Sequence, residues 1–349
     1  MSDTRPPIVI TGGAGFIGSH LAERLSARGH RLTLVDDFST GSADNVAHLL
    51  GENVRLVEGR ASTALSSGAV DLAGARVFHL AASVGVQLVV DSPAAMMHNN
   101  LGETAAVLSA CSAHGCRVLV ASSSEVYGLC PEVPLHETTP LVFGPTTASR
   151  WSYGLAKALD EHLALDLGRA GRLEPVVVRL FNTIGPRQIG RYGMVVPRFV
   201  AAAAAEQPLQ IFGDGRQTRT FCDVRDVVAA LDGLMNADAA VGEVFNVGGG
   251  DEITIEQLAD RVLAAWAARS GEGGGGGGGS GGRKAFVSYD DIYGPGFEDP
   301  PQRRPSTDKL RALLGWSPQI PLDQTLRELF EASSGADVKP EAVPAEEGG

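Results

Sequence analysis

Tyr153 and Lys157 stand four residues apart in RWSYGLAKALDE, a stretch with helical patterning, and therefore share one helix face. An ammonium beside a phenol lowers the phenol's pKa, so the pair is expected to let Tyr153 take a proton from a hydroxyl near neutral pH. In an arbitrary helix the same two residues would be a packed tyrosine and a solvated lysine. Two other stretches argue for chemistry. ASSSEVYGLC (121–130) sets Ser122, Ser123 and Ser124 directly before Glu125, where the apolar run RVLV (117–120) predicts the end of a buried strand. A carboxylate there is costly to desolvate unless it has a partner or a chemical role. IVITGGAGFIGSH places Gly12, Gly15 and Gly18 between a strand and a helix that opens with Phe16 and Ile17. Small residues at that spacing allow a sharp turn and let backbone approach a pyrophosphate lying on the helix N-terminus.

The second strand, RLTLVD, ends in Asp36, with Asp37 next, about 20 residues beyond the glycines. An acid at that point accepts hydrogen bonds from a ribose 2′-hydroxyl and repels a 2′-phosphate. No Arg follows in DDFSTGSADN, so NAD is expected rather than NADP. A base, a cation, a row of hydroxyls and a dinucleotide site together describe hydride transfer at a hydroxyl-bearing carbon.

The elements that must position these groups alternate along the first two-thirds of the chain. Strand-like runs IVIT, RLTLVD, RVFHLA, CRVLVAS and PVVVRLF are separated by helical patterns, which predicts α/β architecture with a doubly wound parallel sheet. Residues 6–182 and 221–248 are expected to form the dinucleotide-binding domain. Residues 183–220 and 249–332 are expected to form a smaller C-terminal substrate-binding α/β domain. Helical patterning recurs at 193–207, 221–235 and 253–268. EGGGGGGGSGG (272–282) is expected to be a flexible loop before the strand KAFVSY, and the acidic, Pro/Gly-rich tail 335–349 to be disordered.

Composition narrows the partners. The chain has 349 residues, 44% hydrophobic, enough for a sizeable core. Its net charge of −12 argues against nucleic acid or an anionic membrane, so an anionic substrate needs a local arginine cluster. Four cysteines, Cys111, Cys116, Cys130 and Cys222, show no metal-ligand spacing and fit a reducing cytoplasm, and no metal site is expected. MSDTRPP does not have the pattern of a signal peptide, and no apolar run is long enough to span a membrane.

TGGAGFIG, HLAA (79–82), SSSEVYG and YGLAK, in that order, resemble the extended short-chain dehydrogenase/reductase family that acts on nucleotide sugars. RLFNTIGPRQ (179–188), VVPRFV (195–200), FGDGRQTRTFCDVRDVV (212–228) and RRPSTDKLRALLGW (303–316) extend the resemblance over about residues 6–332. It implies cofactor contacts from Gly12, Gly15, Phe16, Ile17, Gly18, Asp36, Asp37, Leu80, Ala81, Ala82 and Lys157. It also implies substrate contacts from Asn182, Arg187, Val196, Arg219 and Arg303, and a homodimer built on the helices near 100–115 and 151–170. EGRAS (58–62) departs from the pattern, with Arg60 and Ala61 where family members often carry an Asp near the adenine.

Within that family, the residue pair at 124 and 125 separates reactions. The 4,6-dehydratases usually carry Asp-Glu, the Asp protonating a departing hydroxyl, and epimerases usually carry a small or apolar residue at 125. Ser124-Glu125 resembles the UDP-glucuronate decarboxylases, as do SRWSYGLAK and SYDDIYGPGFEDPPQRRPS (288–306). The expected reaction is therefore oxidation at C4 by Tyr153 and NAD, loss of CO2 from the resulting β-keto acid, and reduction to UDP-xylose, or release as the 4-keto pentose. The expected catalytic set is Tyr153, Lys157, Ser123, Ser124, Glu125 and Arg219, with Arg219 binding the carboxylate or helping to deliver the C5 proton. A UDP-sugar 4-epimerase is the alternative; a non-catalytic NAD-sensing scaffold is disfavoured by the retained Tyr153 and Lys157.

Overall fold

The computed structural model describes residues 5–83, 92–190, 194–270, 283–294 and 297–332. The glycine tract at 272–282 and the tail at 335–349, expected to be a flexible loop and a disordered end, lie outside the described residues. Apolar, β-branched runs form a seven-stranded parallel sheet from β1 (Ile8–Thr11), β2 (Leu32–Asp36), β3 (Val54–Glu58), β4 (Arg76–His79), β5 (Arg117–Ser123), β6 (Glu174–Leu180) and β11 (Glu243–Val247). Their order is β11-β6-β5-β4-β1-β2-β3. All four residues of β1 are buried, as a strand covered on both faces must be.

The two faces are covered by amphipathic helices. On one side α1 (Phe16–Ala27), α6 (Val224–Asn236) and α9 (Asp308–Leu314) pack Leu21, Leu25, Val227, Leu231 and Leu310 into one core. On the other, α2 (Ala61–Ser66), α3 (Pro93–Ala113) and α4 (Ser152–Arg169) bury Leu65, Val107, Leu108 and Ala164. Pro93 opens α3, where its missing N–H costs nothing. Asp223 caps α6 by accepting the Arg225 N–H at 2.8 Å.

A separate core lies beyond the carboxyl ends of the large sheet. There α5 (Val195–Ala204), α7 (Ile255–Ser270) and α10 (Leu322–Ala332) bring together Phe199, Leu258, Val262, Leu326 and Phe330. Short strands stitch this region: β7 (Thr183–Ile184) with β10 (Cys222–Asp223), and β8 (Leu209–Phe212) with β13 (Lys284–Val287). β9 (Thr218–Arg219) lies between β12 (Ile253–Thr254) and β14 (Gln302–Arg303). α8 (Tyr289–Tyr293) completes the order. Cys222 and Asp223, expected within a helix, form a strand because α6 begins only at Val224. No described helix is long and apolar enough to cross a membrane, and all four cysteines are free and buried.

Candidate active site

Two cavities of about 360 and 370 Å³ open at the carboxyl ends of the parallel strands and share Tyr153, Ser122, Phe16 and Leu180 in their walls. The reversal of strand order between β1 and β4 creates a crevice there.

Part of the first cavity's wall is a glycine turn, where backbone packs closely on backbone. Gly12 takes φ +69°, the left-handed region, and a Cβ on it would stand 2.9 Å from the Ala81 nitrogen. A Cβ at Gly18 would stand 2.0 Å from the Gly12 carbonyl oxygen, so only glycine lets α1 start this close to β1. Asp36 ends β2 with its carboxylate accepting the N–H groups of Ala14 and Phe38, each at 2.9 Å. Burial pushes this carboxyl's pKa up, and the two backbone hydrogen bonds oppose the shift. Gly15, Phe16, Ile17, Asp37, Leu80, Ala81, Ala82 and Lys157 line the same cavity. The cradle, the helix N-terminus and the acid fit a dinucleotide. Arg60 and Glu103 also line it, ion-paired at 2.8 Å.

His79 lies beneath this wall, fully buried, its Nδ1 2.8 Å from the Thr11 hydroxyl and its Nε2 3.2 Å from the Thr104 hydroxyl. Burial first, then the charge of Lys157, lowers its pKa to about 3, so the ring is neutral.

Tyr153 stands on the first turn of α4, beside the strand end that carries Ser123. The Ser123 hydroxyl accepts the Glu125 N–H at 3.2 Å and hydrogen-bonds the Tyr153 phenol. The expectation of a lowered phenol pKa is corrected here. Burial, then the charges of Glu125 and Asp160, push it up, and only the Ser123 hydrogen bond opposes them. Lys157 is paired with the buried Asp160 at 3.2 Å. Ser122 Oγ points elsewhere, donating to Glu161 at 2.5 Å. Glu161 also receives two hydrogen bonds from Arg179 at 2.9 and 2.8 Å.

The second cavity is walled by side chains from distant segments. Glu125 is tied by two guanidinium groups, Arg150 at 2.6 Å and Arg303. Burial raises its pKa, but the two arginines overcome this and hold the carboxyl well below the usual range. Removing one member of so enclosed a group leaves uncompensated charge, at a cost of roughly 3–5 kcal/mol. Ser124 is buried beneath Arg303, whose Nη1 is 3.5 Å from its hydroxyl. Arg219, expected to bind the sugar carboxylate or help deliver the C5 proton, lines this cavity, held by Asp299 at 2.7 Å and by the carbonyls of Thr218 and Pro300. Asn182 lines the cavity and donates to the Thr220 carbonyl at 2.8 Å, and Val196 is buried in its wall.

Arg187 is displaced from its expected place. At φ +68° its backbone turns the side chain to Glu23 (2.8 Å) and the Asn45 carbonyl (3.2 Å), on the rim of the first cavity. Sequence reasoning missed Arg150, Asp299 and an aromatic wall. In that wall Arg198 lies 3.8 Å over the Phe212 ring, and Tyr293 and Phe297 stack with centroids 4.2 Å apart. A signal for Arg150 existed: a charge placed immediately before the catalytic helix.

Residues 8–248 match the NAD dependent epimerase/dehydratase family. A UDP-N-acetyl-alpha-D-glucosaminuronate decarboxylase of Bacillus cytotoxicus is 35% identical over 326 residues, 93% of this chain and 96% of that protein. UDP-glucuronic acid decarboxylase 1 of Xenopus tropicalis is 35% identical over 327 residues, 93% of this chain and 71% of that protein. Among solved structures, UDP-glucuronic acid 4-epimerase of Bacillus cereus, in complex with UDP-glucuronic acid and NAD, superposes with TM-score 0.78 at 26% identity, covering 94% of this chain and 99% of that one. UDP-glucose 4-epimerase of Thermotoga maritima, with UDP-glucose, gives TM-score 0.78 at 27% identity over the same shares. A dinucleotide cradle, a Tyr-Lys helix and this span of likeness lead to one conclusion: the chain belongs to the NAD dependent epimerase/dehydratase family.

Proposed function

We propose that the protein decarboxylates UDP-glucuronate to UDP-xylose, using NAD held in the first cavity. The observation that carries this reading is Ser124-Glu125 at the end of β5. The pair faces the second cavity with a hydroxyl where a dehydratase needs a carboxylic acid, and with an ionised Glu125 fixed by Arg150 and Arg303. Such a site has no acid at position 124 to expel water, and a β-keto acid needs none to lose CO2.

Bound NAD supplies a reversible hydride acceptor. Gly12, Gly15 and Gly18 would cradle its pyrophosphate, and Asp36 would exclude a 2′-phosphate, so NAD is expected to bind much more tightly than NADP. Tyr153 takes the C4 hydroxyl proton as its phenolate, the phenol's own proton having first passed to solvent, and the Ser123 hydrogen bond favours that charged form. Once CO2 departs, Ser123 and the protonated Tyr153 donate to the enolate oxygen. The nearest cations to Glu125 are Arg150 and Arg303, so the C5 proton and the carboxylate fall to that end of the cavity rather than to Arg219.

The likeness to an N-acetylated uronate decarboxylase makes the 2-acetamido sugar a second candidate substrate, and the epimerase likeness supports 4-epimerisation as the rival reaction. Mass spectrometry after incubation with NAD and UDP-glucuronate, or its 2-acetamido analogue, separates all three. A pentose product with CO2 supports the proposal, and an unchanged product mass with inverted C4 overturns it. A cytoplasmic homodimer completes the reading. Helices α3 and α4 pack together and expose Leu101 and Leu159, and light scattering tests the pairing.

A further inference from the structure

The charged wall of the second cavity is unevenly satisfied. Arg150, Arg198, Arg219 and Arg303 face two carboxylates, Glu125 and Asp299, so the wall is net positive within a chain of charge −12. Arg219 is spent on Asp299 and two carbonyls, and Arg198 is stacked on Phe212 and donates to the Gln210 carbonyl at 2.9 Å. Arg150 differs. Its side chain is 7% exposed, and Glu125 engages only Nη1. Nε is buried with no hydrogen-bond partner among the described residues. Asp299 stands 3.7 Å from Nη2, beyond hydrogen-bond reach. Nε and Nη2 form the side edge of a guanidinium, the fork that takes a carboxylate in two parallel hydrogen bonds. A buried N–H left unpaired is costly, so the edge is suited to a ligand that completes it. Arg150 also lies three residues before Tyr153, on the turn (Ser149–Trp151) that leads into α4, which ties its place to that of the phenol.

We propose that Arg150 is the specificity-determining residue that recognises the C6 carboxylate of a uronic-acid sugar, holding it on the Nε/Nη2 edge that Glu125 leaves free. The assignment rests on the decarboxylase reading for the identity of the sugar. Glu125 then acts as a positioning residue, because by holding Nη1 it presents the opposite edge to the substrate. Release is also accounted for, since a pentose product has no carboxylate to claim Arg150 and the guanidinium stays with Glu125.

The test measures binding in a Tyr153→Phe background loaded with NAD, where no turnover confuses the reading. UDP-glucuronate, UDP-glucose and UDP are titrated by calorimetry into this protein and into the same protein carrying Arg150→Gln. The expected result is a loss of roughly ten- to hundredfold in affinity for UDP-glucuronate, the worth of a charge-assisted pair of hydrogen bonds, with UDP-glucose and UDP within about twofold. Equal losses for all three ligands would place Arg150 at the diphosphate and overturn the proposal, as would no loss at all. Arg150→Lys keeps the charge but not the fork. Should Arg150→Gln fail to fold, a retained preference for glucuronate in Arg150→Lys overturns the proposal and a diminished one supports it. If the parent protein itself binds UDP-glucose as tightly as UDP-glucuronate, both this assignment and the decarboxylase reading fall. A parent that prefers glucuronate beside a variant that keeps the preference removes only Arg150.

Discussion

The two cavities that meet at Tyr153 are made of different material. At the cofactor end the first is set by main chain, with a glycine turn, the start of a helix and Asp36 anchored to two backbone N–H groups. The second is shaped by side chains drawn from residues 124 to 303, and its charges are fixed by one another. A main-chain cavity keeps its form when a peripheral side chain is altered. A cavity held by mutual ion pairs couples every member to the rest.

The largest effect expected is at Tyr153, one of the residues both cavities share. Tyr153→Phe should cut NADH formation on mixing with UDP-glucuronate by about 10²–10⁴-fold, with NAD affinity unchanged, as read by absorbance and titration. Equal losses of cofactor binding would mean that the cavities are not separable. Next, Glu125→Gln should slow CO2 release by about 10²–10³-fold while NAD still binds, leaving transient NADH absorbance. Because the Glu125 charge helps raise the phenol's pKa, the same variant should move the rise of the oxidation rate with pH to lower pH. CO2 release at the parent rate would deprive the decarboxylase reading of its central residue and put epimerisation ahead.

A smaller effect is expected from Gly18→Ala, whose Cβ meets the Gly12 carbonyl. Overpacking of about 1–3 kcal/mol should weaken NAD binding roughly 5–150-fold, with UDP affinity retained. Acid sharpens the contrast further. His79 is neutral in the fold with a pKa of about 3, against an ordinary 6.5, so the unfolded chain gains a proton first as pH falls. Its contribution is intact above pH 6.5 and is lost at up to about 1.4 kcal/mol per pH unit below it. Glu125, depressed below its ordinary 4.5, stays ionised over that same interval. Denaturation at pH 7.5 and 5.5 should therefore show a steeper loss in the parent than in His79→Asn; identical slopes would refute the assignment.

The same difference in material decides what could be read beforehand. Gly12, Gly15, Gly18 and Asp36 follow one another along one βαβ unit, where spacing alone implies geometry. The doubly wound parallel sheet was legible because β1, β2, β4, β5 and β6 are rich in buried apolar residues; β3, an edge strand with exposed Arg55 and Glu58, was not, so the count of seven was not legible. Glu125 was correctly suspected of having partners, but Arg150 and Asp299 come together with it only in the fold. The raised phenol of Tyr153 comes first from burial and then from the charges of Glu125 and Asp160, none of which the Tyr-Lys spacing displays. Arg187 lines the first cavity rather than the second, held by Glu23 and the Asn45 carbonyl, contacts its place in the sequence does not display.

The strand bearing Arg303 is fastened to the middle of the chain. Leu135 N–H donates to the Arg304 carbonyl, the Ser306 N–H donates back to Leu135, each at 2.8 Å, and the Asn246 amide bonds both Leu135 and Ser306. During synthesis, Glu125 leaves the ribosome 178 residues ahead of Arg303. At about 5–20 residues per second, that is a delay of roughly 10–35 seconds. When that interval begins, the dinucleotide turn and β1 through β5 have already been translated, and β6 follows within it, while Glu125 has at most one of its two cations and β14 has not emerged to meet Leu135. The nascent chain can thus acquire a cofactor-binding half before it has a reaction chamber, and catalytic competence arrives last, with the closing of a single short strand.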